Sequence, residues 1–338
     1  MTKLALPRRA LVVAGGCALA APALIGRARA ATTLKISTSF PNDPKFSTAR
    51  IWYDLFIPKL KDAVGDQIAI QFFPDNQLGQ EADVVNQVKL GVVDAMLVGT
   101  SIWTNLVPEF GAFDLGYLFQ DFAHQRRACE TPEGTALSEL LVQKAGARVG
   151  GWGRNLGARN FLTKFSFNGP DQLAGKKIRS LPSPIVTETV KLMGAAATPM
   201  AFGEIYTALQ AGVIDGLEHD APTILASKFY EAAKYFTLTR HIYTPFCCFL
   251  SERTLHRLAG NLRDGLMTAV KQATNEHTDR AAKIEADAVD NLKQLGVTVG
   301  ECDRNVFRDR VKPLWTTFTD QTPGAKPFVD ATLRVENA

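Results

Sequence analysis

Two arginines twenty residues apart, Arg159 and Arg179, and the consecutive trio Glu218-His219-Asp220 are the side chains of this 338-residue chain best suited to chemistry. A guanidinium is permanently charged and offers a planar fork that matches a carboxylate through two parallel hydrogen bonds. Lys177-Ile178-Arg179 closes a short strand-like run just before the turn at Pro182, so the fork of Arg179 would sit at a strand end. There, facing a cleft, it would both bind and orient an anion, and Arg159 would converge on the same charge. Isolated arginines are usually exposed, and without further pattern the pair would read as structural or surface charge. Glu218, His219 and Asp220 could serve as acid–base groups of an exported enzyme. Adjacent residues of a strand point to opposite faces, however, which counts against all three meeting one substrate.

Other chemistries fit poorly. Gly169 to Lys176 has five residues between its glycines, and Lys177 stands where a phosphate-binding loop needs Ser or Thr for magnesium. The Gly151–Gly157 stretch misses the dinucleotide spacing by one residue. Neither HExxH nor a GxSxG nucleophile elbow occurs. His124, His219, His241, His256 and His277 show no metal-ligand spacing, and no cofactor is implied.

The elements that must position these residues alternate. Strand-like Thr33–Thr38 is followed by a helix from Ser47 to Val64, a strand over Ile68–Phe73, a helix over Glu81–Leu90 and a buried strand over Ala95–Val98. That order predicts α/β units with a mainly parallel sheet. A helix over 203–210 ends at Gly212, a strand covers Thr244–Leu250, and a long helix runs over Asn261–Gln294. Val306–Phe318 is expected to kink or restart at Pro313. Leu90-Gly91-Val92-Val93-Asp94 is echoed by Ala211-Gly212-Val213-Ile214-Asp215, a helix closed by glycine and followed by two β-branched residues and an Asp. Two similar α/β domains explain the echo most simply.

The first thirty residues read as a secretory signal peptide, with Arg8-Arg9, an apolar run from Ala10 to Ile25 and Ala28-Arg29-Ala30 before the cut. The paired arginines fit a twin-arginine signal in part, and the Sec route stays open. The segment holds five basic residues and no acids, so its removal takes the net charge from +4 to −1. The mature chain therefore offers no electrostatic case for nucleic acid or anionic lipid. Cys129, Cys247, Cys248 and Cys302 remain, with disulfide pairing undetermined.

Several segments together carry a family likeness. Phe73-Pro74-Asp75-Asn76-Gln77-Leu78-Gly79, Phe113-Asp114-Leu115-Gly116-Tyr117-Leu118-Phe119, Gly157-Ala158-Arg159, Lys177-Ile178-Arg179 and Ser227-Lys228-Phe229-Tyr230-Glu231 resemble motifs of the solute-binding proteins that serve TRAP transporters. Gly116 stands where that family commonly has proline, and Glu218-His219-Asp220 where it has Glu-Asn-Pro.

The resemblance implies a two-domain periplasmic-binding-protein fold with a hinged ligand cleft. Domain I would hold residues 31–156 and 245–284, and domain II residues 157–244 and 285–338. It implies a periplasmic receptor, not an enzyme, that delivers an organic acid to a membrane permease and meets the membrane only through it. Arg179 would be the principal carboxylate ligand and Arg159 the second, with Phe202 as an aromatic wall. Thr100 and Ser101 at a strand end, Phe40 and Asn42 after the first strand, and Gln80 and Glu81 at the second loop complete the candidates. His219 and the acids Glu218 and Asp220 tilt the ligand toward hydroxyl groups, hence toward a sugar acid, with a C4-dicarboxylate as the alternative. An exported enzyme or a sensory binding subunit on the same frame also stays open.

Overall fold

A computed structural model describes residues 31–336, so the expected signal peptide lies outside the described residues. Among these residues, eleven strands form two sheets. The first contains β1 (Thr32–Ser37), β2 (Ile68–Phe73), β3 (Ala95–Gly99), β4 (Ala147–Val149) and β10 (Phe246–Ser251), in the order β2-β1-β3-β10-β4. The second contains β5 (Arg159–Thr163), β6 (Lys177–Ser180), β7 (Ala196–Pro199), β8 (Gly216–His219), β9 (Tyr235–Ile242) and β11 (Thr298–Glu301), in the order β11-β9-β5-β8-β6-β7.

Both sheets are mixed rather than mainly parallel. β1, β2 and β3 run parallel, as do β6, β7 and β8. β10 is antiparallel to β3 and β4, and β5 is antiparallel to β8 and β9. The exceptions have one cause. β5 and β10 are the strands by which the chain enters the other sheet, through short crossings at 150–158 and 243–245. Each entering strand lies beside the strand by which the chain leaves that sheet, β10 beside β4 and β5 beside β9, and strands that enter and leave on the same side run in opposite directions.

A third crossing is the helix Gly260–Gln294, about 50 Å long at 1.5 Å per residue. Leu262, Leu266 and Val270 pack into the core of the first sheet, and Ala288 and Leu292 into that of the second. Trp52 ties the middle of this helix to the first sheet's lobe, stacking on Phe56 at 4.8 Å and donating from Nε1 to Thr274 Oγ1 at 3.0 Å. Beyond it the chain restarts at Pro313, giving Arg304–Val311 and then Pro313–Gln321. Phe307, Phe318 and Phe328 share a core with Phe110, Phe113 and Phe119. Gly116 fits this packing, because a Cβ there would lie 2.6 Å from Thr189 Cγ2.

The internal echo is one device built twice. Gly91 and Gly212 close their helices at φ 73° and 74°, a left-handed turn that glycine adopts at no steric cost. Asp94 Oδ2 accepts from Lys35 N at 2.7 Å, and Asp94 N donates to Lys35 O at 3.1 Å. Asp215 Oδ2 accepts from Lys177 N at 2.8 Å, and Asp215 N donates to Lys177 O at 2.7 Å. Each Asp thus sets the register of the parallel pair, β1 with β3 and β6 with β8. Asp94 is the more deeply held, since Oδ1 also accepts from Thr254 Oγ1 at 2.6 Å and from Arg257.

Asp94→Ala is expected to lower unfolding free energy by about 2–3 kcal/mol and Asp215→Ala by about 1 kcal/mol. Urea titration of both variants checks the order. Equal losses would mean that the strand-amide bond alone matters, and that the Thr254 and Arg257 contacts add nothing.

Candidate functional site

The carboxyl ends of the two parallel triplets face each other, and a closed cavity of about 30 Å³ lies between them. Phe40 follows β1, Glu81 opens the helix Glu81–Leu90 beyond β2, and Val98, Gly99, Ser101 and Ile102 end β3 or follow it. Leu181 follows β6, Phe202 follows β7 and His219 ends β8. Asn155, Arg159, Thr244 and Phe246 come from the two short crossings or the strands they feed. Ligands of open α/β sheets gather at such strand ends. Gly99 is required there, because a Cβ would stand 2.9 Å from Thr244 Cγ2.

Arg159, 3% exposed, directs Nε and Nη2 onto the carboxylate of Glu218, with Nη2 at 2.8 Å from Oε1 and 2.9 Å from the Glu218 carbonyl. Only Nη1 is left for another acceptor. Burial alone would raise the Glu218 carboxyl, but Arg159 and the His241 ring, 3.6 Å away, outweigh it and hold the group below the carboxylate range.

Arg179 is fully buried and does not line the cavity in this closed arrangement. Nε and Nη2 donate to the Met200 carbonyl at 3.0 and 2.8 Å, which fixes one edge of the fork. Nη1 is buried without a hydrogen-bond partner among the described residues. Desolvation brings this guanidinium down to about 10, so it remains a cation at neutral pH.

Of the trio, only His219 lines the cavity. Asp220 is an organising group behind it. Oδ2 accepts from Asn155 Nδ2 at 2.7 Å and Thr223 Oγ1 at 3.0 Å, and lies 2.6 Å from His219 Nδ1. Oδ1 caps the helix Ala221–Ala226 through Thr223 N at 2.9 Å. Nδ1 faces both the ionised Asp220 carboxylate at 2.6 Å and the Asp220 amide at 3.0 Å; the shorter, charged contact favours the proton on Nδ1, which leaves Nε2 of the neutral ring as an acceptor. Burial, with Arg159 nearby, keeps the ring neutral by lowering its pKa. Asn155 Oδ1 is likewise buried and unpartnered among the described residues.

Glu81 is buried and accepts from Ser39 Oγ at 2.5 Å, and desolvation raises its pKa. Ser101 donates to Asp114 Oδ1 at 2.6 Å, and Ser183 reaches Asp114 Oδ2 at 3.4 Å from the other side of the cleft. Phe40 and Phe202 form an aromatic wall with centroids 5.6 Å apart. Thr100 is buried but does not line the cavity, and Asn42 accepts from Arg50 at the surface. Asn155 and Thr244 were not among the sequence candidates. Both lie in the chain crossings, which carry no motif. A larger open groove of about 580 Å³ runs past Arg154, Arg240 and Glu285, but Arg154 and Glu285 already pair at 3.1 Å and Arg240 pairs with Glu301.

A family described as bacterial extracellular solute-binding protein, family 7, matches residues 39–322. The chain belongs to this family, the solute receptors of TRAP transporters. The sialic acid-binding periplasmic protein SiaP of Vibrio cholerae is 30% identical over 290 residues, spanning 86% of this chain and 89% of its own. A TRAP periplasmic solute-binding protein of Polaromonas, solved with D-erythronate, superposes with a TM-score of 0.83 at 30% identity, covering 89% of this chain and 98% of that one. The sugar acid-binding protein of Advenella mimigardefordensis, solved with galactonate, gives 0.85 at 26% identity, covering 90% and 99%. The Vibrio and Polaromonas relatives are periplasmic binding proteins. Among the described residues of this chain, no helix is long and apolar enough to cross a membrane. The family and the α/β fold that the motifs implied are both present.

Asp114 generates a pH prediction. Desolvation raises its pKa from 3.8 to about 7, against the bonds from Ser101 and Ser183. A raised acid binds its proton more tightly folded than unfolded, so its contribution is complete below pH 3.8 and is lost as pH rises through about 7. Asp114→Asn should flatten the fall in melting temperature across that window. A variant curve parallel to the wild type would show that Asp114 does not titrate there.

Proposed function

We propose that this protein is a periplasmic receptor for a hydroxylated monocarboxylate of the sugar-acid class, which it hands to the membrane permease of a TRAP transporter. One observation carries the reading. Beside the arginines, the cavity presents acceptors: Glu81, Asn155 Oδ1 and His219 Nε2. A carboxylate would take the free edge of Arg179 and the Nη1 of Arg159, and ligand hydroxyls would donate to the three acceptors. A second carboxylate would meet lone pairs instead of donors, which disfavours a dicarboxylate. The bound D-erythronate and galactonate of the Polaromonas and Advenella relatives belong to this chemical class and support the choice.

The 30 Å³ cavity holds about one water, far less than a four- to six-carbon acid. Binding therefore requires the two sheets to part and reclose. We assign that hinge to the crossings between domain I (31–156 and 245–284) and domain II (157–244 and 285–338), with the closed form presented to the permease.

Calorimetry against a panel of aldonic and uronic acids and C4-dicarboxylates tests the class, and tighter binding of every dicarboxylate would refute it. Against the best acid, Arg179→Ala is expected to cost roughly 2–5 kcal/mol of binding and Arg179→Lys nearly as much, since an ammonium cannot reproduce the fork. Wild-type affinity in either variant removes Arg179 from the site. His219→Ala should weaken hydroxylated acids more than their deoxy analogues, because a site built for a hydroxyl discriminates by the groups left unpaired. Equal losses for both would reduce His219 to a shape-filling role.

A further inference from the structure

A second pocket, about 80 Å³, shares no lining residue with the cleft. Tyr117 and Gln120 approach from one side, and Arg304, Asn305 and Arg308 from the start of the helix Arg304–Val311 on the other. Neither arginine makes an ion pair among the described residues. Arg304 has one hydrogen bond, from Nη2 to the Arg240 carbonyl at 3.3 Å, and its Nε is buried without a partner. Tyr117 is 3% exposed, and its hydroxyl is also buried and unpartnered. Burial pushes the phenol pKa up, so the hydroxyl remains a donor.

The nearby carboxylates are engaged elsewhere. Glu301 forks onto Arg240 at 2.9 and 3.0 Å, Asp303 caps Asn305 N at 3.0 Å, and Glu336 accepts from Gln120 Nε2 at 2.8 Å. The pocket thus combines two guanidinium groups without ion-pair partners and an orphan hydroxyl, beside a helix N-terminus that Asp303 already caps. Tyr117 is held there with φ 61°, in the left-handed region, by its amide donating to the His241 carbonyl at 2.7 Å. A bulky residue adopts that backbone only where its surroundings enforce it.

We propose that the pocket formed by Tyr117, Arg304 and Arg308 binds one small tetrahedral oxyanion, inorganic sulfate or phosphate. Its volume equals two or three waters at ~30 Å³ each, which admits such an ion and excludes a sugar acid. Four oxygens can accept from the hydroxyl and both guanidinium groups together, whereas chloride offers a single point.

Calorimetric titration of the mature protein with sodium sulfate and with sodium phosphate, with chloride at matched ionic strength as reference, tests this. One equivalent of either oxyanion should bind beyond the chloride baseline, and the difference between the two titrations identifies the preferred ion. Arg308→Gln should weaken binding roughly tenfold or more, and Tyr117→Phe, which removes only the hydroxyl, should weaken it several-fold. Arg310→Gln serves as a control, because Arg310 pairs with Asp171 at 2.7 Å and does not line the pocket. No binding above chloride, wild-type binding in both Arg308→Gln and Tyr117→Phe, or an equal loss in Arg310→Gln would each overturn the site.

Discussion

The polar groups of the cleft depend on the buried ion pair between Arg159 on β5 and Glu218 on β8. Removing water from two charges is costly, and the pair persists because its geometry is nearly saturated: two guanidinium nitrogens meet one carboxylate, with His241 beside it. Antiparallel pairing of β5 with β8 brings the two residues together, since Asn160 lies opposite His219 and Phe161 opposite Glu218. Glu218 also bears on Arg179, whose fork would otherwise share the cleft with a second uncompensated cation. Arg159 and Arg179 face two ionised carboxylates, Glu218 and Asp220, so these four groups carry no excess charge, and what they offer an anion is the unused guanidinium edges.

The second tier of the site is organised by Asp220 rather than by a ligand. Its two oxygens receive Asn155, Thr223 and His219, so a single carboxylate settles the tautomer of the imidazole, the orientation of the Asn155 amide and the start of a helix. Because Asn155 donates to Asp220, its carbonyl oxygen is the end left for the cavity. The acceptor character of the wall therefore follows from one residue that does not itself reach the cavity.

Much of the frame was legible in the sequence because it rests on local rules. Gly91 stops the helix Glu81–Leu90 at the residue expected, and the strand Ile68–Phe73 and the restart at Pro313 also stand where composition put them. The mixed character of the sheets was not legible, because the direction of β5 and β10 is set by how the chain crosses between lobes and not by either strand's own residues. In the site, Arg159, Phe202, Ser101, His219, Phe40 and Glu81 reach the cavity wall. Thr100, Arg179, Glu218 and Asp220 do not. Arg179 could not be placed by motif alone, since what draws its fork aside is a backbone carbonyl twenty-one residues away at Met200. For Asp220 a signal was available: an Asp followed by Ala221-Pro222 is a helix N-cap pattern, and a capping carboxylate is already engaged.

The repeated clamp of Asp94 and Asp215 bears on how such a receptor can move without loosening. Each clamp ties a helix end to two parallel strands within one lobe, at Lys35 or Lys177, so it holds the amino ends of β3, β6 and β8, opposite the carboxyl ends that carry the site. Among the groups spanning the cleft, the contacts of Ser183 with Asp114 at 3.4 Å and of Asn105 with the Pro182 carbonyl at 3.5 Å are long. Asn155 with Asp220 and the Tyr117 amide with the His241 carbonyl, each at 2.7 Å, are short and lie in or beside the chain crossings, a distribution suited to rotation about those crossings. Arg159 and Glu218 lie on the same sheet, so opening would carry their ion pair along intact. The arrangement of the guanidinium and its carboxylate would then be the same in the open cleft as in the closed one.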